Sequence, residues 1–356
     1  MTIATLLLVC MGAKAQDEAM AVLTHGTTTK TFSGRQALIT AYAEATHGDL
    51  ITLSSGRFES VDTIEKAITI RGAGLGNDET YHTQATVIYN DMTLAIPDDV
   101  AEKHFQMEGI FHDSWIYYAN NLQNAKFSKC RLGFISAGQY GDNLWGTCQN
   151  LQFFHCKITG ALVCNSNSTM TLMNSYVEAP VTHDSNTSII SFRNCVIKPV
   201  YKEYSALGVN KYAYKKVDDS DDGVAALLYS CYLTNSIICM VNDSDPIYWN
   251  DNTVFTNCLL PSSLIPSADR NTYQNYTLLT SIFKTFSGTY GELETFALKN
   301  TTAYLGNDGK QVGMYGGVIP YTPRLTGPHI KTLQVSDHST SDGKLNVKIQ
   351  IENTTD

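Results

Sequence analysis

The chain reads as all-β, a right-handed parallel β-helix in which short strands stack into a solenoid, and three features of its 356 residues predict this. A short motif recurs: an apolar residue, a spacer, a polar residue, Cys or Ser, a second spacer and an aliphatic. Its copies are Phe127–Leu132, Phe153–Ile158, Leu172–Val177, Phe192–Ile197, Leu228–Leu233 and Phe255–Leu260. Their Cys or Ser positions (Cys130, Cys156, Ser175, Cys195, Cys231, Cys258) lie 26, 19, 20, 36 and 27 residues apart. Such spacing belongs to repeats whose units bury their faces only against neighbours. The local period is two, as in Ile190-Ser191-Phe192, so the unit is a strand and helical solenoids are excluded. Asn174, Asn194 and Asn257 stand just before the Cys or Ser, at the bend of the motif. Stacked coils place them in a ladder and the Cys in an interior column, with a rise of roughly 4.8 Å per coil.

The elements follow in order. Ile3–Gly12 is an apolar run closed by Ala13-Lys14-Ala15, the form of a signal-peptidase site. Residues 1–15 are therefore read as a signal peptide, and the protein as secreted or held at the cell surface, with the periplasm as a further destination. The run is too short to span a bilayer. Residues 16–32 read as a leader. Ser33 is placed to cap a helix from Gly34 to Ala45, with Ala37, Leu38, Ala41, Tyr42 and Ala45 on one face. Such a helix plugs the open end of a solenoid. Leu50–Leu53 and Ala67–Ile70 read as the first strands, with turns at Ser54–Gly56 and Gly72–Gly74. The solenoid is assigned to 33–317. From 318 to 356, a linker with Pro320, Pro323 and Pro328 leads to two strands, Ile330–Val335 and Lys344–Ile351. They are either a cap docked on the solenoid or the start of a further β module.

Residues 33–74, through the runs Gly48–Phe58 and Ala67–Gly74, resemble the N-terminal cap and first coil of pectate-lyase-like β-helix proteins. Gly306–Gly317 and the following Ile319–Pro323 resemble the end of the β-helix in uncharacterised secreted proteins of Gram-negative gut anaerobes. The resemblance implies the fold and leaves the activity open, because that fold carries lyases, hydrolases, adhesins and inert scaffolds. A lyase of this kind would hold Ca²⁺ with carboxylates against a uronate and take its proton with a Lys or Arg.

For that chemistry, the gap between Cys195 and Cys231 offers Lys211, Lys215 and Lys216, then Asp218, Asp219, Asp221 and Asp222. The four carboxylates are candidate Ca²⁺ ligands. The run half-matches an EF-hand loop but has Tyr229 where the bidentate Glu belongs, and a solvated acidic loop is the plainer reading. No catalytic residue is assigned. The net charge of -9 and the absence of a basic stripe argue against a nucleic-acid partner. Once the signal is removed eight Cys remain, none in a CxxC pair, and they read as reduced interior residues. Carbohydrate recognition asks for rings beside polar groups, which Tyr140, Asp142 and Trp145 offer in one cluster and Tyr248 and Trp249 in another. The leading expectation is a non-catalytic, glycan-interacting scaffold. The alternatives are a polysaccharide lyase or glycoside hydrolase acting on uronic-acid-containing polysaccharide, and an adhesive or structural protein-binding scaffold.

Overall fold

The computed structural model describes residues 19–76, 84–97, 104–140, 143–182, 187–201, 224–241, 247–266, 270–286, 295–325, 327–335 and 347–354. Two long sheets carry the fold. In the first, the antiparallel hairpin Met20–His25 and Thr28–Ser33 lies against Leu50–Leu53. Parallel strands then follow at Thr69–Arg71, Gln106–Glu108, Lys126–Ser128, Leu151–Phe154, Thr169–Met173, Ile189–Arg193, Cys231–Thr234 and Val254–Thr256. The second runs in parallel from Gly56–Glu59 through Thr86–Tyr89, Phe111–Tyr118, Arg131–Tyr140, Lys157–Cys164, Tyr176–Thr182, Val196–Lys198, Ile237–Ile238 and Cys258–Pro261 to Tyr273–Tyr276. Strands that alternate between two sheets and pair only with the neighbouring coil make a parallel β-helix. No helix among the described residues is long and apolar enough to cross a membrane.

Register explains the core. In the first sheet Ile51, Ile70, Met107, Phe127, Phe153, Leu172, Phe192, Leu233 and Phe255 are successive partners. All are buried, and the Phe127 and Phe153 rings stack 5.2 Å apart. The facing column of the second sheet is Ile88, His112, Leu132, Ile158, Val177, Ile197 and Ile238, aliphatic but for one imidazole.

Between the sheets the chain turns at one residue in the left-handed region, with φ of 53° at Lys129 and His155, 46° at Asn174, 52° at Asn194 and Asn235, and 49° at Asn257. Asn tolerates this conformation better than most residues, which accounts for its recurrence here. Each corner N–H bonds to the next coil, as from Asn174 to the Arg193 carbonyl at 3.0 Å. The residue after the corner points inward. There the Ser175 hydroxyl accepts the Cys156 N–H at 3.0 Å and donates to the Met173 carbonyl at 2.8 Å. Ser236 does the same for Cys195 and Thr234. Cys takes the same place in other coils, and the eight Cys among the described residues are buried and form no disulfide.

One motif copy is out of register. Leu228–Leu233 is not equivalent to the others: Cys231 opens a first-sheet strand opposite Ile190, and the true corner is Asn235, with Leu233 and Ser236 in the Phe and Cys places. Ser230 is itself left-handed at φ 54°, so a second turn imitates the corner. The first helix also differs from expectation. It spans Ala37–Glu44 after Gln36, with no side-chain cap, because Ser33 ends the hairpin strand instead.

The coils end at Tyr276. Beyond the short helix Leu279–Ile282, the chain runs back over the outside of the second sheet as far as Leu325. Phe283, Phe296, Leu298, Val312, Met314 and Tyr321 pack there on Tyr176, Val196, Ile237 and Leu259. This strap is gripped by the corner ladder. Asn174 Nδ2 donates to the Met314 and Gly316 carbonyls at 3.0 and 2.7 Å, Asn235 and Asn307 exchange two hydrogen bonds, and His155 Nε2 meets the Ile319 carbonyl at 3.2 Å. Gly317 sits at φ 79° where a Cβ would fall 2.3 Å from Asn194 Nδ2. Gly306–Gly317, which resembles the end of a β-helix, is thus the part of the strap laid along the ladder, and the expected 33–317 solenoid divides into coils and strap. Gly327–Val335 and Val347–Thr354 form an antiparallel hairpin.

Candidate functional site

The second sheet is bent. Its pairing slips between His112 and Trp115, between Leu132 and Ile135, and between Ile158 and Ala161, so irregularities stack on consecutive coils. Stacked bulges bend a sheet and re-aim the side chains beyond them. Past the bend, Ile116, Ile135 and Leu162 face the core, while Trp115, Phe134 and Ala161 belong to a separate apolar cluster outside it. There the Trp115 and Phe134 rings stack at 4.4 Å and 17°, and Trp115 and Tyr117 at 5.5 Å and 4°. Gly160 allows this, since a Cβ there would come within 2.8 Å of the Phe134 ring.

Polar groups edge the rings. Asp91 Oδ1 accepts the Trp115 N–H at 3.1 Å and also the Ser114 hydroxyl, which pins the bulge. Asp113 lies 3.9 Å from Arg57, whose guanidinium covers the Tyr89 ring. Burial, reinforced by Asp91, pushes the Tyr117 phenol up to about 12, so it remains a neutral hydrogen-bonding group.

Before the bend, on the same outer face, Phe111, Arg131, Lys157 and Tyr176 are successive partners. The Arg131 guanidinium lies over Phe111 and the Lys157 ammonium over Tyr321 of the strap. Burial and the neighbouring Arg131 charge lower the Lys157 pKa. Two residues further along, Glu178 bonds Lys198 at 3.2 Å and receives the Tyr176 hydroxyl at 2.7 Å. Burial raises the Glu178 pKa against the pull of Lys198. The result is a cation-rich patch beside the rings, partly roofed by the strap.

The expected site residues separate. Tyr248 joins the outer cluster with Phe134, Val163, Val181 and Leu227, whereas Trp249, the next residue, packs on the solenoid core. Adjacent strand residues point to opposite faces, so the two rings do not share a surface. Tyr140 and Trp145 lie on two strands of a hairpin, opposite Asn143 and Gly138, and Asp142 falls outside the described residues. Asp218, Asp219, Asp221 and Asp222 also lie outside them. Among the described residues no group of three or more His, Cys, Asp or Glu is placed to hold a metal. Trp115, Tyr117 and Phe134 escaped the sequence reading. The available signal was the outward phase of Trp115 and Tyr117 against inward Ile116 and Tyr118, but the bulge hid it by breaking the alternation from His112.

No protein-family model matches the chain, and no curated protein does. A solved structure of a mutant PL6 family alginate lyase is similar at 12% identity and a TM-score of 0.21, over 80% of this chain and 58% of the lyase. The chain therefore spans less than two thirds of that lyase's length.

Proposed function

We propose that this chain is an exported, non-catalytic β-helix scaffold that holds a polysaccharide against the outer face of its second sheet. The observation that carries the reading is the ring cluster at the bend, Trp115 with Tyr117 and Phe134, next to Arg131 and Lys157. Stacked rings present the large, rigid contact area that sugar faces use, and neighbouring hydrogen-bonding groups fix orientation. Three to four residues of strand separate the cations from the rings, roughly 10 Å. That span suits a glycan of a few units whose carboxylates meet Arg131 and Lys157. Tyr248 extends the ring surface toward later coils.

The test is binding of fluorescent polygalacturonate and alginate to the full chain. Trp115→Ala is expected to weaken binding at least tenfold with unchanged circular dichroism, and an unchanged affinity would refute the site. A polysaccharide lyase is the second reading, favoured by one observation: Lys157 and Lys198 lie on the coils either side of the buried Glu178, with Arg131 one coil beyond Lys157. Unsaturated, ultraviolet-absorbing products from either polymer would establish it in place of the scaffold.

A further inference from the structure

His112 is the one polar member of the second sheet's interior column, between Ile88 and Leu132 on the adjacent coils. It is fully buried, and its ring nitrogens interact with backbone groups of Ser114 and Asn90 without reaching full hydrogen-bond geometry. The chain slips register immediately after it, and Ser114 and Trp115 in the slipped segment both donate to Asp91 Oδ1. Of the neighbouring strands, the inward residues Met92, Leu94, Leu132, Ile135 and Ala137 carry no charge. On its own strand the inward neighbours are Ile116 and Tyr118, and Asp91 is the carboxylate that acts on the ring.

We propose that His112 is an acid-sensitive latch: taking up one proton from solvent, it leaves the aliphatic column toward Asp91 and opens the bulge that carries Trp115. An imidazolium has no place among Ile88 and Leu132, because an unpaired charge in an apolar interior is strongly disfavoured. Asp91 is the carboxylate that acts on the ring, and its Oδ1 already holds both the Trp115 N–H and the Ser114 hydroxyl, so turning it toward a displaced imidazolium competes with the two bonds that pin the bulge. The latch thereby regulates the ring cluster, and that consequence rests on the glycan reading above. Burial lowers the ring's pKa to about 4 from 6.5, so lowering the pH from 7.5 to 5 favours any state that exposes it by about 30-fold.

The experiment is amide hydrogen exchange over residues 111–118 of the full chain at pH 7.5 and 5, with the intrinsic pH dependence removed. His112→Leu and His112→Met, two apolar replacements of different shape, are run in parallel, with polygalacturonate dissociation measured on the same samples. Opening is expected to rise about 30-fold at pH 5 in the wild type and in neither variant, with faster polygalacturonate release only where the bulge opens. Equal acceleration in wild type and variants, or none in the wild type, overturns the latch. His112-dependent opening without polygalacturonate binding at either pH upholds the latch and removes the glycan reading alone.

Discussion

Asn174 is where the grip of the ladder on the strap is best measured, because two separable contributions act there. Its amide donates to the buried carbonyls of Met314 and Gly316 at 3.0 and 2.7 Å, while its backbone is held at φ 46°. Removing the amide orphans two acceptors at about 1 to 1.5 kcal/mol each, or about 2 to 3 kcal/mol together. A residue with an ordinary Cβ adds roughly 1 kcal/mol for the left-handed backbone. Asn174→Gly is therefore expected to cost about 2 to 3 kcal/mol and Asn174→Ala about 3 to 4 kcal/mol. The loss falls on a local equilibrium, release of the strap from the coils, and not on the whole fold. Trypsin under native conditions reads it through the exposed Lys310 and Arg324. Cleavage should accelerate about 50-fold for the glycine variant and several hundred-fold for the alanine variant. If Asn174→Gly cleaves within threefold of wild type, the amide does not hold the strap. If the two variants behave alike, the backbone argument fails.

Three further outcomes are expected. Gly317→Ala, whose Cβ would meet Asn194 Nδ2 at 2.3 Å, should release the strap more than Gly309→Ala, since Gly309 is also left-handed at φ 71° but has nothing within 4 Å; equal trypsin rates would contradict this. Burial pushes the Cys148, Cys195 and Cys258 thiols up to about 12, so an aromatic disulfide reagent should label none of the eight Cys from Cys130 to Cys258 in the native protein and all eight in denaturant, and native labelling of any of them counts against the interior column. His112 is held neutral by folding, with its pKa lowered to about 4 from 6.5, so the unfolded chain binds the extra proton first as pH falls. Relative to His112→Leu, wild-type stability should run parallel above pH 7 and drop by about 3 kcal/mol between pH 6.5 and 4, as read by urea denaturation; a constant difference would refute the burial of a neutral ring.

How much was legible follows the range of each interaction. The corner motif was readable at Phe127–Leu132, Phe153–Ile158, Leu172–Val177, Phe192–Ile197 and Phe255–Leu260 because its parts lie within a few residues and each coil repeats them. It failed at Leu228–Leu233, where Ser230 turns left-handed as a corner residue does while the stacking partner of Asn194 is Asn235. Of the candidate sugar-contacting rings, Tyr248 and Trp249 stand beside polar groups in sequence, but as neighbours in one strand they point to opposite faces. Trp115 and Phe134, nineteen residues apart in the chain, are the pair that stacks.

The sequence by itself determined the coil, its inward Phe and Cys columns and its Asn corners, because a short β repeat states its own period and its own turn. Only the tertiary structure decided that Gly306–Gly317 lies along the ladder instead of closing the stack, that an imidazole falls in an aliphatic column, and that a bulge turns Trp115 onto Phe134. Those three depend on which distant coils become neighbours and on a one-residue slip in strand phase, and neither quantity is written in any local stretch of the chain.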